Sequence, residues 1–209
     1  MKKYISIILT MTLLLMLSAC GSNTTKTENS TEATENTAQT TTAEATTDNE
    51  STLIMYFSWS GNTKAVAEEI QLQTGADIFE ITPETPYPED YNEVLDVAKR
   101  EQDDNARPVI ANTTEDFDKY DTVFVGYPNW WGDMPMIMYS LFDDYDFAGK
   151  TIAPFVTSGG SGFSGTMEAI KSAEPNANVA EGLSLSEANA KNSSADVSKW
   201  LETIERNKQ

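Results

Sequence analysis

The chain has 209 residues and a net charge of −19, with 33 acidic residues against 14 basic ones and no histidine. A surface that acidic repels nucleic-acid backbones, and the missing histidine excludes a Ser-His-Asp triad, a histidine metal site and a histidine general base. Cys20 is the single cysteine, which excludes a disulfide framework and leaves the rest of the chain without thiol chemistry.

Lys2 and Lys3 open the chain, and an apolar run over residues 4–17 leads to Leu17-Ser18-Ala19-Cys20. A charged start, a short apolar segment and small residues before a cleavage site describe a secretory leader, not a membrane-spanning helix. With cysteine directly after that site, residues 1–20 resemble a bacterial lipoprotein signal. The resemblance implies that Cys20 is lipidated and becomes the mature N-terminus, anchored on the extracytoplasmic side of the cell membrane. Residues 21–50 follow with eleven threonines, six acids, one lysine, and no valine, isoleucine, leucine or aromatic residue. Such a segment buries too little apolar surface to offset its ordering entropy, so it is expected to be a disordered tether with a mean reach of ~30 Å.

Residues 51–209 read as one domain. An apolar run at 53–57 predicts a strand covered on both faces, and residues 64–73 predict a helix that stops near Gly75. A second strand is expected at 77–81, followed by a connection stiffened by Pro83, Pro86 and Pro88. Tyr91, Val94, Leu95 and Ala98 then fall at helical spacing behind Glu89 and Asp90. Further strands are expected at 122–126, 151–156 and, more weakly, 179–185, with helices at 135–142, 166–173 and 194–205. Strands and helices alternate throughout, which predicts an α/β doubly wound parallel sheet with helices on both faces.

Such sheets bind ligands at the carboxyl ends of their strands, where strand order reverses. Three strands there end in loops with chemistry. The first loop, Ser58-Trp59-Ser60-Gly61-Asn62-Thr63, opens a helix, where unpaired N–H groups and the peptide dipoles favour an anion and the hydroxyls add donors. The same residues are also what a plain helix cap needs. The second loop, Tyr127-Pro128-Asn129-Trp130-Trp131-Gly132-Asp133, supplies flat aromatic surface. The third, Thr157-Ser158-Gly159-Gly160-Ser161-Gly162-Phe163, supplies backbone that can approach a planar ligand closely. A phosphorylated flat heterocycle fits all three.

Ser58-x-Ser60-Gly61-x-Thr63 resembles the FMN-phosphate loop of the flavodoxins, and Trp131-Gly132-Asp133 resembles their flavin-flanking Trp-Gly-Asp segment. The longer Tyr-Pro-x-Trp-Trp-Gly version is similar to a subgroup of flavodoxin-like proteins and flavin reductases. The resemblance spans residues 53–204 and implies a five-stranded sheet in the order 2-1-3-4-5 with FMN as cofactor. It implies that Ser58, Ser60, Asn62 and Thr63 hold the phosphate, with Trp59 and Gly61 completing that loop. It places Trp131 on the isoalloxazine beside Pro128, Asn129 and Trp130, although either tryptophan can be the one that packs into the core. It gives Gly132 the peptide that can turn its carbonyl toward the N5 proton of the one-electron-reduced flavin. Thr157, Ser158, Gly159 and Gly160 would line the ring edge, and Phe163 would cover the second face. Where many flavodoxins carry aspartate in this loop, Gly159 and Gly160 stand instead.

A receiver domain would need acidic residues where Ser58 and Trp59 stand, and a P-loop would need a lysine that the first loop lacks. Electron chemistry therefore falls to a cofactor. The expected function is electron transfer by a tethered FMN protein, with redox proteins or small-molecule acceptors as partners, no metal, and acidic surroundings that lower the potential. Two alternatives stand beside it: an NAD(P)H-dependent reductase of quinones or similar acceptors, and a surface binding module that kept the fold without flavin.

Overall fold

In a computed structural model of the chain, residues 51–206 are described; Cys20, its leader and the threonine-rich segment lie outside the described residues. The sheet is built on β1 (Thr52–Tyr56), whose Leu53, Ile54, Met55 and Tyr56 are all buried. A strand buried on both faces suits a parallel sheet, whose crossover helices cover both of its faces. The chain supplies those crossings with α1 (Asn62–Thr74), β2 (Asp77–Glu80), α2 (Tyr91–Asp103), β3 (Thr122–Pro128), α3 (Met136–Asp144), β4 (Thr151–Ser158) and α4 (Thr166–Ala173). After these come β5 (Asn178–Val179), β6 (Leu183–Ser186), a short α5 (Glu187–Ala190) and α6 (Ser194–Arg206).

All pairings in the sheet are parallel, in the order β2-β1-β3-β4-β5, with β6 also on β4. This is the α/β doubly wound order expected from the sequence. The pleat sends alternate residues to opposite faces, and two separate cores result. Leu53, Met55, Val123, Val125 and Ile152 face α3 and α4 through Ile137, Met138, Leu141 and Ile170. Ile54, Tyr56, Phe124, Ala153 and Phe155 face α1 and α6 through Val66, Ile70, Val197, Trp200 and Ile204. With a closed core on each face, residues 51–206 have the makings of an independent folding unit. No described helix is long and apolar enough to cross a membrane.

The fifth strand differs from expectation. A single strand over 179–185 was expected, but β5 and β6 share that edge with a break at residues 180–182. The reason lies in the neighbouring strand. Ile152 accepts from Ala180 N–H at 2.9 Å and pairs with Val179, while Phe155 pairs with Leu183, so Pro154 sits opposite the break. Proline has no N–H to give the ladder. At that point the edge strand bulges, and the ring of Phe163 takes the place a side chain on Gly182 would need, 2.4 Å from its Cβ position.

The segment between β2 and β3 is held as one excursion. Glu84 N–H donates to Val109 C=O and Ala111 N–H to Thr82 C=O, a short antiparallel contact that brings the entry and exit of α2 together. Asp90 caps α2 by accepting from the N–H groups of Asn92 and Glu93 at 2.9 and 3.0 Å. This excursion sets α2 beside the carboxyl ends of β1 and β3.

Candidate functional site

The first loop starts α1 without a side-chain cap. Gly61 stands at the N-cap with φ 83° and no side chain accepts from the first helical N–H groups, so those donors stay free for an anion. A side chain on Gly61 would meet nothing within 4 Å, but the positive φ disfavours any residue with a Cβ. Ser58 adds a second observation: its hydroxyl is buried and has no partner among the described residues. A buried unpaired donor of this kind costs about 1–3 kcal/mol, and a ligand oxygen relieves it. The Thr63 hydroxyl is fully buried and shares a 2.8 Å hydrogen bond with that of Thr157, which ties the first loop to the third. Asn62 Nδ2 donates to Ser60 Oγ at 3.2 Å. Lys64, the cation nearest in sequence, is engaged by Glu80 at 2.9 Å. Glu80 also takes the Tyr56 hydroxyl at 3.0 Å, and burial, followed by that bond, pushes the Tyr56 phenol far above its usual range. The cradle is therefore built of backbone N–H and hydroxyl donors.

The second loop is a two-residue hairpin. Trp130 and Asp133 exchange both backbone hydrogen bonds, at 2.8 and 3.0 Å, and the residues between them take positive φ, 54° at Trp131 and 80° at Gly132. Tight hairpin turns want this hand of twist and usually place Asn or Gly at both positions. A tryptophan held there costs about 1 kcal/mol of backbone strain. The turn also separates the two tryptophans. Trp130, half-buried against the core, meets Phe57 and Tyr87 edge-on, with centroids at 5.6 and 5.2 Å. Trp131 is 53 % exposed and donates its indole N–H to Leu95 C=O in α2 at 3.1 Å.

Asn129 secures this hairpin to the third loop. Its Nδ2 donates to Gly162 C=O at 2.8 Å and to Ser164 Oγ at 3.0 Å, while its Oδ1 accepts from Gly132 N–H at 3.1 Å. At the hairpin's base the Asp133 carboxylate accepts from the Tyr139 hydroxyl and from Met134 N–H. Burial first, then the Asp133 charge, pushes the Tyr139 phenol well above its usual range.

In the third loop the Ser158 hydroxyl accepts from Gly160 and Gly162 N–H at 3.2 and 2.9 Å, so it shapes the turn. Gly160, Gly162 and Ser164 all take positive φ, 131°, 60° and 50°. Phe163 packs against the core and beside Gly182 and is not among the residues that line the cavity.

These loops enclose a cavity of about 470 Å³, within the range of small-molecule and cofactor sites. Of the residues expected from the sequence, Trp59, Ser60, Asn62, Pro128, Asn129, Trp130, Trp131, Thr157, Ser158 and Gly159 line it. Ser58, Gly61, Thr63, Gly132 and Gly160 belong to the same loops without contributing to the lining. The sequence reading missed one wall entirely: Tyr91, Val94, Leu95 and Ala98 of α2, with Glu187 from the start of α5. Their helical spacing was visible, but a stripe at i, i+3, i+4 and i+7 looks the same whether it faces a core or a cavity. Trp59 closes this wall by donating its indole N–H to Pro88 C=O at 2.8 Å. Among the lining residues there is no lysine or arginine, and Glu187 is the one carboxylate.

Comparison with known proteins agrees with this geometry. The model of the flavodoxin family matches residues 51–204. No curated protein matches the chain. A crystal structure from Bacteroides eggerthii described as a flavoprotein is 33 % identical, covering 74 % of this chain and 97 % of its own, with a TM-score of 0.67. A flavoprotein of Lactobacillus acidophilus in complex with FMN is 26 % identical over 72 % of this chain and 98 % of its own, with a TM-score of 0.60. A flavodoxin of Fusobacterium nucleatum, at 15 % identity, 75 % and 96 % coverage and a TM-score of 0.50, shares the fold. A strand order, three loops at one sheet edge and a family model that runs nearly from end to end of the described residues thus converge: the chain belongs to the flavodoxin family.

Proposed function

We propose that this domain binds FMN in the cavity between its three loops and α2 and serves as an electron-transfer protein, held outside the cytoplasmic membrane by a lipid on Cys20. The observation that carries the cofactor is the anion cradle: an uncapped helix start beside the buried, partnerless hydroxyl of Ser58. Family membership and the FMN complex of the Lactobacillus acidophilus relative support the same choice.

FMN, when bound, supplies the one- and two-electron chemistry that the chain's own side chains lack. The protein's part is to bind, orient and shield. Backbone N–H groups of Asn62, Thr63 and Lys64 with the hydroxyls of Ser58, Ser60 and Thr63 would hold the phosphate, with Asn62 bracing Ser60. Trp131 would lie against the isoalloxazine while Thr157, Ser158, Gly159 and Gly160 follow its edge. Gly132 would present its peptide to N5, held in register by Asn129. Acidic surroundings disfavour added negative charge in the site, which lowers the potential.

An NAD(P)H-dependent reductase is less well supported. A dinucleotide brings two or three phosphates, and phosphate recognition draws on arginine or lysine. The lining offers neither, and its one helix-start cradle would be occupied by the phosphate of FMN. Redox proteins and small-molecule acceptors remain the partners proposed.

The experiment is to express residues 51–209, add FMN, and remove excess by gel filtration. A yellow protein with quenched tryptophan fluorescence is the expected outcome; a colourless one with unchanged fluorescence sinks the redox reading. The anchor is checked separately by following the full chain in its host: Cys20→Ser should shift it from the membrane fraction to the soluble one. Equal membrane retention of the variant would rule out the lipid anchor.

A further inference from the structure

A second cavity of about 460 Å³ lies between the proline-rich connection after β2, the next face of α2 and the segment that returns toward β3. It is of cofactor-site size and shares no lining residue with the cavity described above. Pro86, Pro88 and Pro108 stand in its walls, and their fixed φ leaves the pocket preformed. Val97 and Val109 extend this apolar side, and Val109 is left 60 % exposed. The polar side is out of electrical balance. Glu101 is half-buried, and its carboxylate accepts one hydrogen bond, from the Tyr87 hydroxyl at 2.8 Å. No lysine or arginine among the described residues comes within ion-pair distance of it. Arg100 acts on it only from further off and gives its Nε–H to Asp96 C=O at 3.3 Å. Arg107, the one cation in the lining, is held elsewhere: its Nε donates to Asp143 at 2.6 Å, its Nη1 donates to the carbonyls of Asn105 and Ala106, and its guanidinium lies 5.1 Å from the centre of the Tyr139 ring. Glu84 adds a second carboxylate to the lining. Burial accordingly raises the Glu101 carboxyl above its ordinary range. A charge taken part-way out of water without a counterion is unfavourable until a ligand supplies one.

We propose that this second cavity binds a small organic amine, whose ammonium pairs with the Glu101 carboxylate while its apolar body lies against the prolines, Val97 and Val109. The inference is independent of the FMN reading, because no residue of the cofactor cavity takes part in it.

The walls select that class by elimination. An anion meets Glu84 and Glu101 and finds Arg107 already bonded to Asp143. A bare metal ion needs several ligands at once, and no group of three or more acidic side chains able to hold one occurs among the described residues. A neutral apolar molecule gains the contacts with the prolines and valines but leaves Glu101 without a counterion. An amine with an apolar body satisfies both sides. Its N–H groups give the carboxylate the charge-assisted hydrogen bonds that the Tyr87 hydroxyl alone does not supply, and its hydrocarbon part covers apolar surface that water otherwise wets.

Titration of benzylamine into isotope-labelled residues 51–209 at neutral pH, followed by amide NMR shifts in the FMN-free and FMN-loaded forms, tests this. Saturable binding is expected in both forms, with the largest shifts at Val97, Glu101 and Val109. Benzyl alcohol, which lacks the charge, and methylamine, which lacks the body, should each bind weaker by about tenfold or more. Glu101→Gln keeps an acceptor for Tyr87 and should weaken benzylamine by about tenfold while changing benzyl alcohol by less than about twofold. Val109→Ala, at an exposed position, should weaken benzylamine by about threefold. The site is overturned by an absence of saturable binding, by equal affinity for benzylamine and either comparison ligand, or by benzylamine binding untouched in Glu101→Gln. Loss of benzylamine binding on loading with FMN also overturns it, because the amine would then have occupied the cofactor cavity beside Glu187. A protein that takes up no FMN yet binds benzylamine as stated defeats the functional reading and leaves this inference standing.

Discussion

Ser58 carries the sharpest consequence of the cradle, because its cost and its use have opposite signs. The hydroxyl is buried without a partner, so the FMN-free fold bears the penalty of a desolvated donor. Ser58→Ala removes that penalty and should stabilise the FMN-free protein by about 1 kcal/mol while weakening FMN by about tenfold. Urea unfolding of the FMN-free domain and a fluorescence titration with FMN measure the two effects independently. A variant that loses stability, or that binds FMN as the parent does, would remove Ser58 from the cradle. Thr63 offers no such separation. Its hydroxyl is already bonded to Thr157, and its replacement would disturb loop geometry and ligand together.

At the scale of elements, two glycines show how differently a local sequence constrains a strand and a turn. Gly126 lies in the middle of β3, and a Cβ there would stand 2.1 Å from the Phe155 ring, so the position is closed by packing. Gly132 has open space around it but φ 80°, so the position is closed by backbone conformation. Gly126→Ala should therefore cost about 1–3 kcal/mol, and Phe155→Leu should recover part of that loss by giving the methyl room. Gly132→Ala should cost about 1 kcal/mol, and no substitution of a neighbour should recover it. Chemical denaturation of the single and double variants checks this; rescue at Gly132 by a smaller neighbour would show that the turn is strained by contact instead. The elements also show what could be read in advance. β1, β3 and β4 were legible because strands buried on both faces are continuous apolar runs. The break between β5 and β6 was not, since its cause, Pro154, lies in a different strand and acts across the sheet. Trp130 and Trp131 could not be told apart for a similar reason. Only the positive φ at Trp131 and Gly132 sends one ring to the core and the other to α2.

For the molecule as a whole, alternation of elements was enough to predict a doubly wound sheet, but it left the α2 excursion without a purpose. Its attachment to the site is a chain of contacts from the surface inward. Glu101 on α2 accepts the Tyr87 hydroxyl at 2.8 Å, Tyr87 packs edge-on against Trp130 and at a tilt against Phe57, and Trp130 begins the hairpin that carries Trp131 and Gly132. Burial raises the Glu101 carboxyl above its ordinary range, opposed by the Tyr87 bond and the Arg100 charge, while Arg107 borders the same depression but is bonded to Asp143. A carboxyl whose pKa is higher folded than unfolded binds its proton more tightly in the fold, so its contribution to stability is greatest at acid pH and is lost as pH rises through the folded value. Glu101→Gln keeps an acceptor for Tyr87 and abolishes the titration. The variant should be at least as stable as the parent at pH 7, and the parent should gain on it steadily as pH falls toward 4. Urea midpoints for both proteins across that range decide the matter. A parent that instead loses ground to the variant on acidification would mean that the Tyr87 bond outweighs burial, and that α2 is held to the hairpin by the charge of Glu101.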